Sequence, residues 1–184
     1  MTIGGIPIRA FAGMARLDGH LPAVARTALA RAMASRVVDR VVAAGCEPVV
    51  VTSDTEVGTW ARRLHVTVLD DPPGGGLDGA ARAVVAHAGD DRWLVLHADL
   101  PAVDTADITA MTGGATPALA PSKDGGTAAI SSTGPFRFSY GVDSFRRHLA
   151  AAGPGARVVV RPGLAFDIDH PRDLMVAELL GVAP

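Results

Sequence analysis

The sequence predicts an α/β fold, a doubly wound and mostly parallel sheet with helices packed against it. Three observations predict it. Short apolar runs rich in Val and Ile alternate with longer segments whose apolar residues recur at helical spacing, in the order βαβαβαβα up to Met111. The connections between these segments are short, as crossover units require. Aromatic residues make up only 4% of the 184 positions, so Val, Leu, Ala and Ile must build the core, the set used by parallel strands covered on both faces.

Ile3 to Ile8 reads as the first strand, followed by a glycine-bearing loop from Ala10 to His20 that carries Arg16. Pro22 to Ala44 is a long helix. Pro22 suits its first turn, Gly45 closes it, and Val24, Ala28, Leu29, Ala32, Met33, Val37, Val41 and Val42 form its apolar stripe. Pro48 to Thr52 is a buried strand, and Ser53 or Asp54 caps a helix running through Arg63. Val66 to Leu69 is the third strand. A turn with two prolines and three glycines, Asp70 to Gly76, leads into a helix from Leu77 to Ala88. Trp93 to His97 is the fourth strand and Asp104 to Met111 a short helix. The rest is less regular. Ala115–Ala120 and Ala128–Ser132 read as strands joined by the loop Pro121–Thr127, Ser139–Ala152 as a helix, Arg157–Val160 and Leu164–Ile168 as strands, and Pro171–Leu180 as a closing helix capped by Asp169 or His170. With no repeat, low-complexity tract or linker, residues 1–184 read as one domain.

Composition excludes several classes. A net charge of −2 gives no field for nucleic acid or a membrane surface. No apolar run reaches the length of a membrane span, and Met1–Ile8 lacks the basic start of a signal peptide. The expectation is a cytoplasmic protein. The single cysteine, Cys46, rules out an internal disulfide framework and reads as a small buried residue.

In an open parallel sheet, ligands bind beyond the carboxyl ends of the strands. Asp99 lies just past the fourth strand. Asp167 and Asp169, one residue apart, would share a face of a strand with Cα atoms about 7 Å apart. Three converging carboxylates repel unless a cation joins them, and they would make an all-oxygen site suited to Mg²⁺, which usually serves phosphates. The same residues also fit helix caps and a surface position. Gly74, Gly75 and Gly76 before Leu77 offer backbone N–H groups at a helix start, an anion or base-edge site, or simply a tight turn. Arg9 and Arg16 follow the first strand, where a triphosphate would lie. Lys123 and Thr127 sit in a hydrophilic loop, and Gly141 and Ser144 at a helix start. His97 reads as a packed strand-end residue. The sequence contains neither G-x-S-x-G nor a P-loop signature.

Four segments together carry a resemblance: Leu96-His97-Ala98-Asp99-Leu100-Pro101; Ala118 to Thr127, with Ser122-Lys123-Asp124-Gly125-Gly126-Thr127; Phe138-Ser139-Tyr140-Gly141-Val142-Asp143-Ser144-Phe145-x-x-His148; and Pro162 to Leu174, with Phe166-Asp167-Ile168-Asp169-x-Pro171-x-Asp173. In this order and spacing they resemble the 2-phospho-L-lactate / phosphoenolpyruvate guanylyltransferases of coenzyme F-420 biosynthesis, over nearly the whole chain. The resemblance implies a Rossmann-like nucleotidyltransferase fold of the GT-A type. It implies GTP and a phosphorylated three-carbon acid as substrates; whether the product passes directly to a downstream transferase stays open. It further implies Mg²⁺ on Asp99, Asp167 and Asp169, an acceptor site at Thr127, Gly141 and Ser144, and base reading by Gly74 to Leu77. Arg16 and Lys123 are the expected cationic contributors.

The chain departs from the family pattern at three places. The first loop, Ala12 to Leu17, has no lysine before Arg16-Leu17, Asp78 replaces a common Asn, and Ala128 stands where Asn usually follows Gly-Gly-Thr. Two rival readings follow: a related nucleotidyltransferase using CTP, ATP or an acceptor such as 3-phosphoglycerate, and a non-catalytic nucleotide-binding homologue.

Overall fold

A computed structural model describes residues 1–114 and 117–179. The strands are β1 (Thr2–Pro7), β2 (Glu47–Val51), β3 (Thr67–Leu69), β4 (Arg92–Leu96), β5 (Ala118–Pro121), β6 (Thr127–Thr133) and β7 (Arg157–Val158). The helices are α1 (Ala23–Ala43), α2 (Thr55–Arg63), α3 (Gly76–Ala88), α4 (Thr105–Thr112), α5 (Ser144–Ala152), α6 (Pro162–Ala165) and α7 (Pro171–Leu179). The seven strands form one sheet in the order β3-β2-β1-β4-β6-β5-β7. β1, β2, β3 and β4 pair in parallel, as the alternating pattern predicts. Only β6 runs against its neighbours, β4 and β5.

Apolar side chains cover both faces. On one, Val37 and Val41 of α1, Val57 and Ala61 of α2 and Ile108 and Met111 of α4 pack on Ile6, Val50 and Leu94. On the other, Ala81 and Val84 of α3 pack on Val49, Trp93 and Val95. The central strand must let helices come close from both sides, and its glycines do so. A Cβ at Gly5 would lie 2.5 Å from one methyl of Val84 and overlap the other, and one at Gly4 would overlap Val41. Local chemistry sets the helix starts. The Asp54 carboxylate accepts the Val57 N–H at 2.9 Å, and Asp104 and Asp107 form a capping box at α4.

Several expectations change. α1 buries Leu29, Met33, Ala34, Val37, Val38 and Val41, while Val24 and Val42 face solvent. The stripe is therefore narrower than the apolar residues alone suggest. A short 3-10 turn at Ala15–Leu17 interrupts the first loop. α5 begins at Ser144, because Gly141 and Asp143 take positive φ of 113° and 53° and break any earlier helix. Leu164–Ile168 is not a strand. Pro162 starts the short α6, a position its fixed φ favours, and Gly163 packs so closely on Asp107 that a side chain there would collide with the carboxylate. β7 is shorter than Arg157–Val160. Residues 115 and 116 of the fifth expected strand, and residue 180 of the last helix, lie outside the described residues.

Candidate active site

The chain runs outward from β1 to β3 and then returns to place β4 on the other side of β1. At such a switch point the loops beyond the strand ends diverge and leave a crevice. Two adjoining cavities occupy it. One, of about 330 Å³, is lined by Phe11, Met14, Met33, His97 and Asp99. The other, of about 720 Å³, is lined by Ser53, Asp71, Pro72, Gly74, Gly76 and Ala80. Pro7, Ile8, Arg9 and Leu77 border both. Together they offer a largely apolar slot with an arginine at its wall, a shape suited to a small-molecule ligand. Gly75 lines neither cavity. A Cβ there would stand 2.8 Å from Gly79 Cα, so this glycine serves the turn itself.

At the edge of the smaller cavity, Asp99, Asp167 and Asp169 each present a carboxylate oxygen, all within 4.8 Å of one another. The convergence does not come from a strand. Asp167 to Asp169 follow α6 in a segment outside regular secondary structure. Ile168 packs between Leu17, Leu29 and Met33 and donates its N–H to the Asp99 carbonyl at 3.3 Å, leaving its two neighbours to gather at Asp99. Burial pushes the Asp99 carboxyl above the usual range, against the pull of His97, and the charges of Asp167 and Asp169 push it further. Asp99 Oδ1 is buried without a hydrogen-bond partner. Three hard oxygens with one of them orphaned fit a divalent cation such as Mg²⁺.

Lys123 and Asp173, both within the resembling segments, hold this cluster. The Lys123 ammonium meets Asp173 Oδ2 at 2.9 Å, Asp167 Oδ1 at 3.2 Å and the Asp167 carbonyl, and it lies 4.6 Å from the Phe166 ring centroid. Burial alone would lower its pKa, but the bond to Asp173 and the charge of Asp167 outweigh it and the net shift is upward. Asp173 Oδ2 also accepts the N–H groups of Asp169 at 3.0 Å and His170 at 2.8 Å. It reaches back from the first turn of α7 as the acidic half of a capping box. Neither Asp169 nor His170 is therefore the side chain that ties this helix start; Asp173 is. Arg16 pairs with Asp169 of the cluster. Leu17, fully buried beside Leu29 and Met33, anchors the turn that brings it there.

The expected acceptor residues also assemble. Thr127 begins β6 and Ser144 begins α5; both are buried, with their hydroxyl oxygens 3.2 Å apart. The loop between Lys123 and Thr127 thus links the carboxylate cluster to this hydroxyl pair. Gly141 closes the turn before α5, its carbonyl accepting the Ser144 N–H at 3.0 Å. Asp78, one of the departures, has a structural role: its carboxylate accepts the Tyr140 N–H at 2.8 Å and ties α3 to the Tyr140–Ser144 turn. Two further groups carry no role assigned from the sequence, although His148 closes one of the four resembling segments. Asp71 borders the larger cavity with a buried, unpartnered Oδ1. His148 bonds to Thr127 at 2.9 Å. No periodicity or spacing marks Asp71. The side chain of Cys46 is buried, and burial raises its thiol pKa.

Residues 17–175 match the MobA-like NTP transferase domain. The chain is 37% identical to the phosphoenolpyruvate guanylyltransferase of Rubrobacter xylanophilus, covering 96% of this chain and 93% of that one. It is 35% identical to that of Conexibacter woesei, covering 94% and 85%. Among solved structures, it superposes on a nucleotide-diphospho-sugar transferase from Desulfovibrio desulfuricans with a TM-score of 0.75 at 13% identity, covering 95% and 85% of the two chains. It superposes on CMP:2-keto-3-deoxy-manno-octonic acid synthetase in complex with CTP with a TM-score of 0.60 at 16% identity, covering 98% of each. These two likenesses establish a shared nucleotidyltransferase-type fold.

Proposed function

Since this chain belongs to the phosphoenolpyruvate guanylyltransferase family, within the MobA-like NTP transferases, we propose that it transfers GMP from GTP to phosphoenolpyruvate and releases pyrophosphate. The three-carboxylate cluster at the mouth of the nucleotide crevice is the observation that carries this reading. A phosphate oxygen of the acceptor attacks the α-phosphorus of GTP. The bond from that phosphorus to the bridging oxygen of the β-phosphate breaks, and pyrophosphate leaves with the electron pair. The attacking oxygen is already anionic, so no general base is required.

The chain's own groups position the reactants and offset charge. Asp99, Asp167 and Asp169 would hold Mg²⁺, which supplies charge neutralisation at the phosphates. Lys123 fixes Asp167 from behind. Arg9 borders the triphosphate side of the crevice. Arg16 pairs with Asp169 and exchanges that partner for phosphate oxygens when nucleotide enters. Thr127, Ser144 and the Gly141 turn receive the acid. The place of the reaction is the cytoplasm, in deazaflavin coenzyme F-420 biosynthesis, where a downstream transferase consumes the guanylylated acid.

The CTP- or ATP-using reading rests on Asp78 and on the first loop's lack of a lysine; one Asp78 oxygen accepts the Tyr140 N–H, which gives that residue a structural role beside any contact with the base. The test is pyrophosphate release from GTP plus phosphoenolpyruvate with Mg²⁺, in wild type and Asp167→Asn. Release that requires both substrates and falls at least ~100-fold in the variant supports the reading. Release with another triphosphate or acid only, or equal rates in the folded variant, overturns it.

A further inference from the structure

His148 sits at the centre of a buried polar chain. Its residue is fully buried, and Phe136, Phe138 and Tyr140 surround its ring. Nε2 accepts the Ser139 N–H at 2.8 Å. A backbone N–H can only donate, so Nε2 carries no proton, and in the neutral ring the proton is on Nδ1. Nδ1 lies 2.9 Å from Thr127 Oγ1 and must donate to it. Thr127 Oγ1 in turn lies 3.2 Å from Ser144 Oγ.

The direction of the first bond constrains the rest. With one lone pair of Thr127 taken by the imidazole N–H, the threonine proton is free to turn toward Ser144. The serine proton is then free to point at whatever anion occupies the turn at Gly141. Each donor in the chain strengthens the next, as hydrogen bonds in a low-dielectric interior do. We propose that His148 is the positioning residue of the acceptor site: its Nδ1–H orders the Thr127 and Ser144 hydroxyls so that the chain ends in a donor aimed at an anionic group of the acid. This rests on the reading of Thr127, Gly141 and Ser144 as the acceptor site.

A purely architectural role would give a different pattern. His148 also holds the Ser139 N–H, and so the turn before α5, through Nε2. The two nitrogens can be separated by substitution. The Asn side-chain amide falls near the Nδ1 position and the Gln amide near Nε2. His148→Asn keeps a donor for Thr127 and loses the acceptor for Ser139; His148→Gln does the reverse. The experiment measures KM for each substrate and kcat for wild type, His148→Asn, His148→Gln and Thr127→Val, with melting temperature recorded for each.

The proposal expects His148→Gln to raise the phosphoenolpyruvate KM at least ~10-fold, with the GTP KM within ~2-fold of wild type and Thr127→Val matching it. His148→Asn should stay within ~3-fold of wild type. It also expects no further loss in the His148→Gln, Thr127→Val double variant, since both break one chain. The reverse order, with Asn impaired and Gln near normal, overturns it, as does a GTP KM that rises with the acceptor's. An activity-independent readout separates this from failure of the substrate assignment. Imidazole ¹⁵N shifts of the wild-type protein report which nitrogen is protonated. A protonated Nε2 overturns the proposal whatever the substrates are. A protonated Nδ1 in a protein that turns over a different acid moves the same kinetic comparison to that acid.

Discussion

Replacing Asp173 by Asn should damage the enzyme twice, in stability and in metal use. Asp173 is 4% exposed. One of its oxygens, Oδ2, collects the Lys123 ammonium at 2.9 Å and the N–H groups of Asp169 and His170 at 3.0 and 2.8 Å. Asn keeps the shape and one carbonyl oxygen, so the two N–H bonds persist in weakened form. What disappears is the charge opposite Lys123. A hydrogen bond to a charged partner contributes about 1.5–3 kcal/mol, and weakening the two N–H bonds adds to the loss. The Asp167 contact at 3.2 Å remains and limits it. A destabilisation of about 2–4 kcal/mol results. For a chain of this length that lowers the melting temperature by roughly 4–16 °C.

The second effect is on the carboxylates. Asp173 fixes the backbone of Asp169 directly, and Lys123 fixes Asp167, so loosening both should raise the Mg²⁺ concentration for half-maximal activity by about 10–100-fold, the usual cost of losing support behind a ligand. Thermal melts and Mg²⁺ titrations of pyrophosphate release measure the two effects. A variant that melts within 1 °C of wild type and needs no more Mg²⁺ would refute the argument that Asp173 organises the cluster. The pH direction agrees with this role. Burial pushes the Asp173 carboxyl up, but the Lys123 bond and the two backbone N–H groups outweigh it and hold it below the usual carboxylate range. Its contribution is therefore full above the ordinary carboxylate range and disappears as acid protonates the folded protein.

Two further outcomes follow from the same contacts. Gly5→Ala forces a Cβ against Val84, 2.9 Å from its Cβ, and should cost about 1–3 kcal/mol in a urea melt; adding Val84→Ala should recover part of that loss, and an unaffected single variant would contradict the close packing of α3 on β1. Burial, aided by Arg147 and His97 and opposed by Asp78, lowers the His148 pKa from 6.5 to about 4. The unfolded chain then takes up a proton near 6.5 that the folded protein refuses until about 4, so stability is full above that window and falls by up to about 3 kcal/mol as pH drops through it. Urea melts at pH 7 and pH 4.5 should show this loss in wild type and a smaller one in His148→Asn; equal losses would contradict the buried neutral ring.

The parallel half of the fold was legible because its determinants are local. Each strand from β1 to β4 is an apolar run closed by Gly, Pro or a capping residue, and each intervening helix carries its own stripe. The failures cluster where a distant partner decides. Leu164–Ile168 has the composition of a strand, yet Pro162 and the contact of Gly163 with Asp107 give it a helical turn and then an irregular segment. Their spacing places Asp167 and Asp169 on one side of a strand. They do converge, but through Ile168 anchored between α1 and the 3-10 turn, a contact no spacing rule contains.

The same distinction explains which site residues could be read. A carboxylate just past a strand, or a glycine run before a helix, is visible because backbone geometry alone makes it useful. Asp173 and His148 act through side chains more than 20 residues away in sequence: Asp173 on Lys123, and His148 on Thr127. Their value lies in what they hold still. Asp173 and Lys123 secure the carboxylate cluster, while His148 secures the hydroxyl pair. Both supports meet on the single loop from Lys123 to Thr127, which also receives the Phe145 N–H at the Gly125 carbonyl. The carboxylate cluster and the hydroxyl pair are thus fixed to opposite ends of one short segment, so the spacing between them is set by folding.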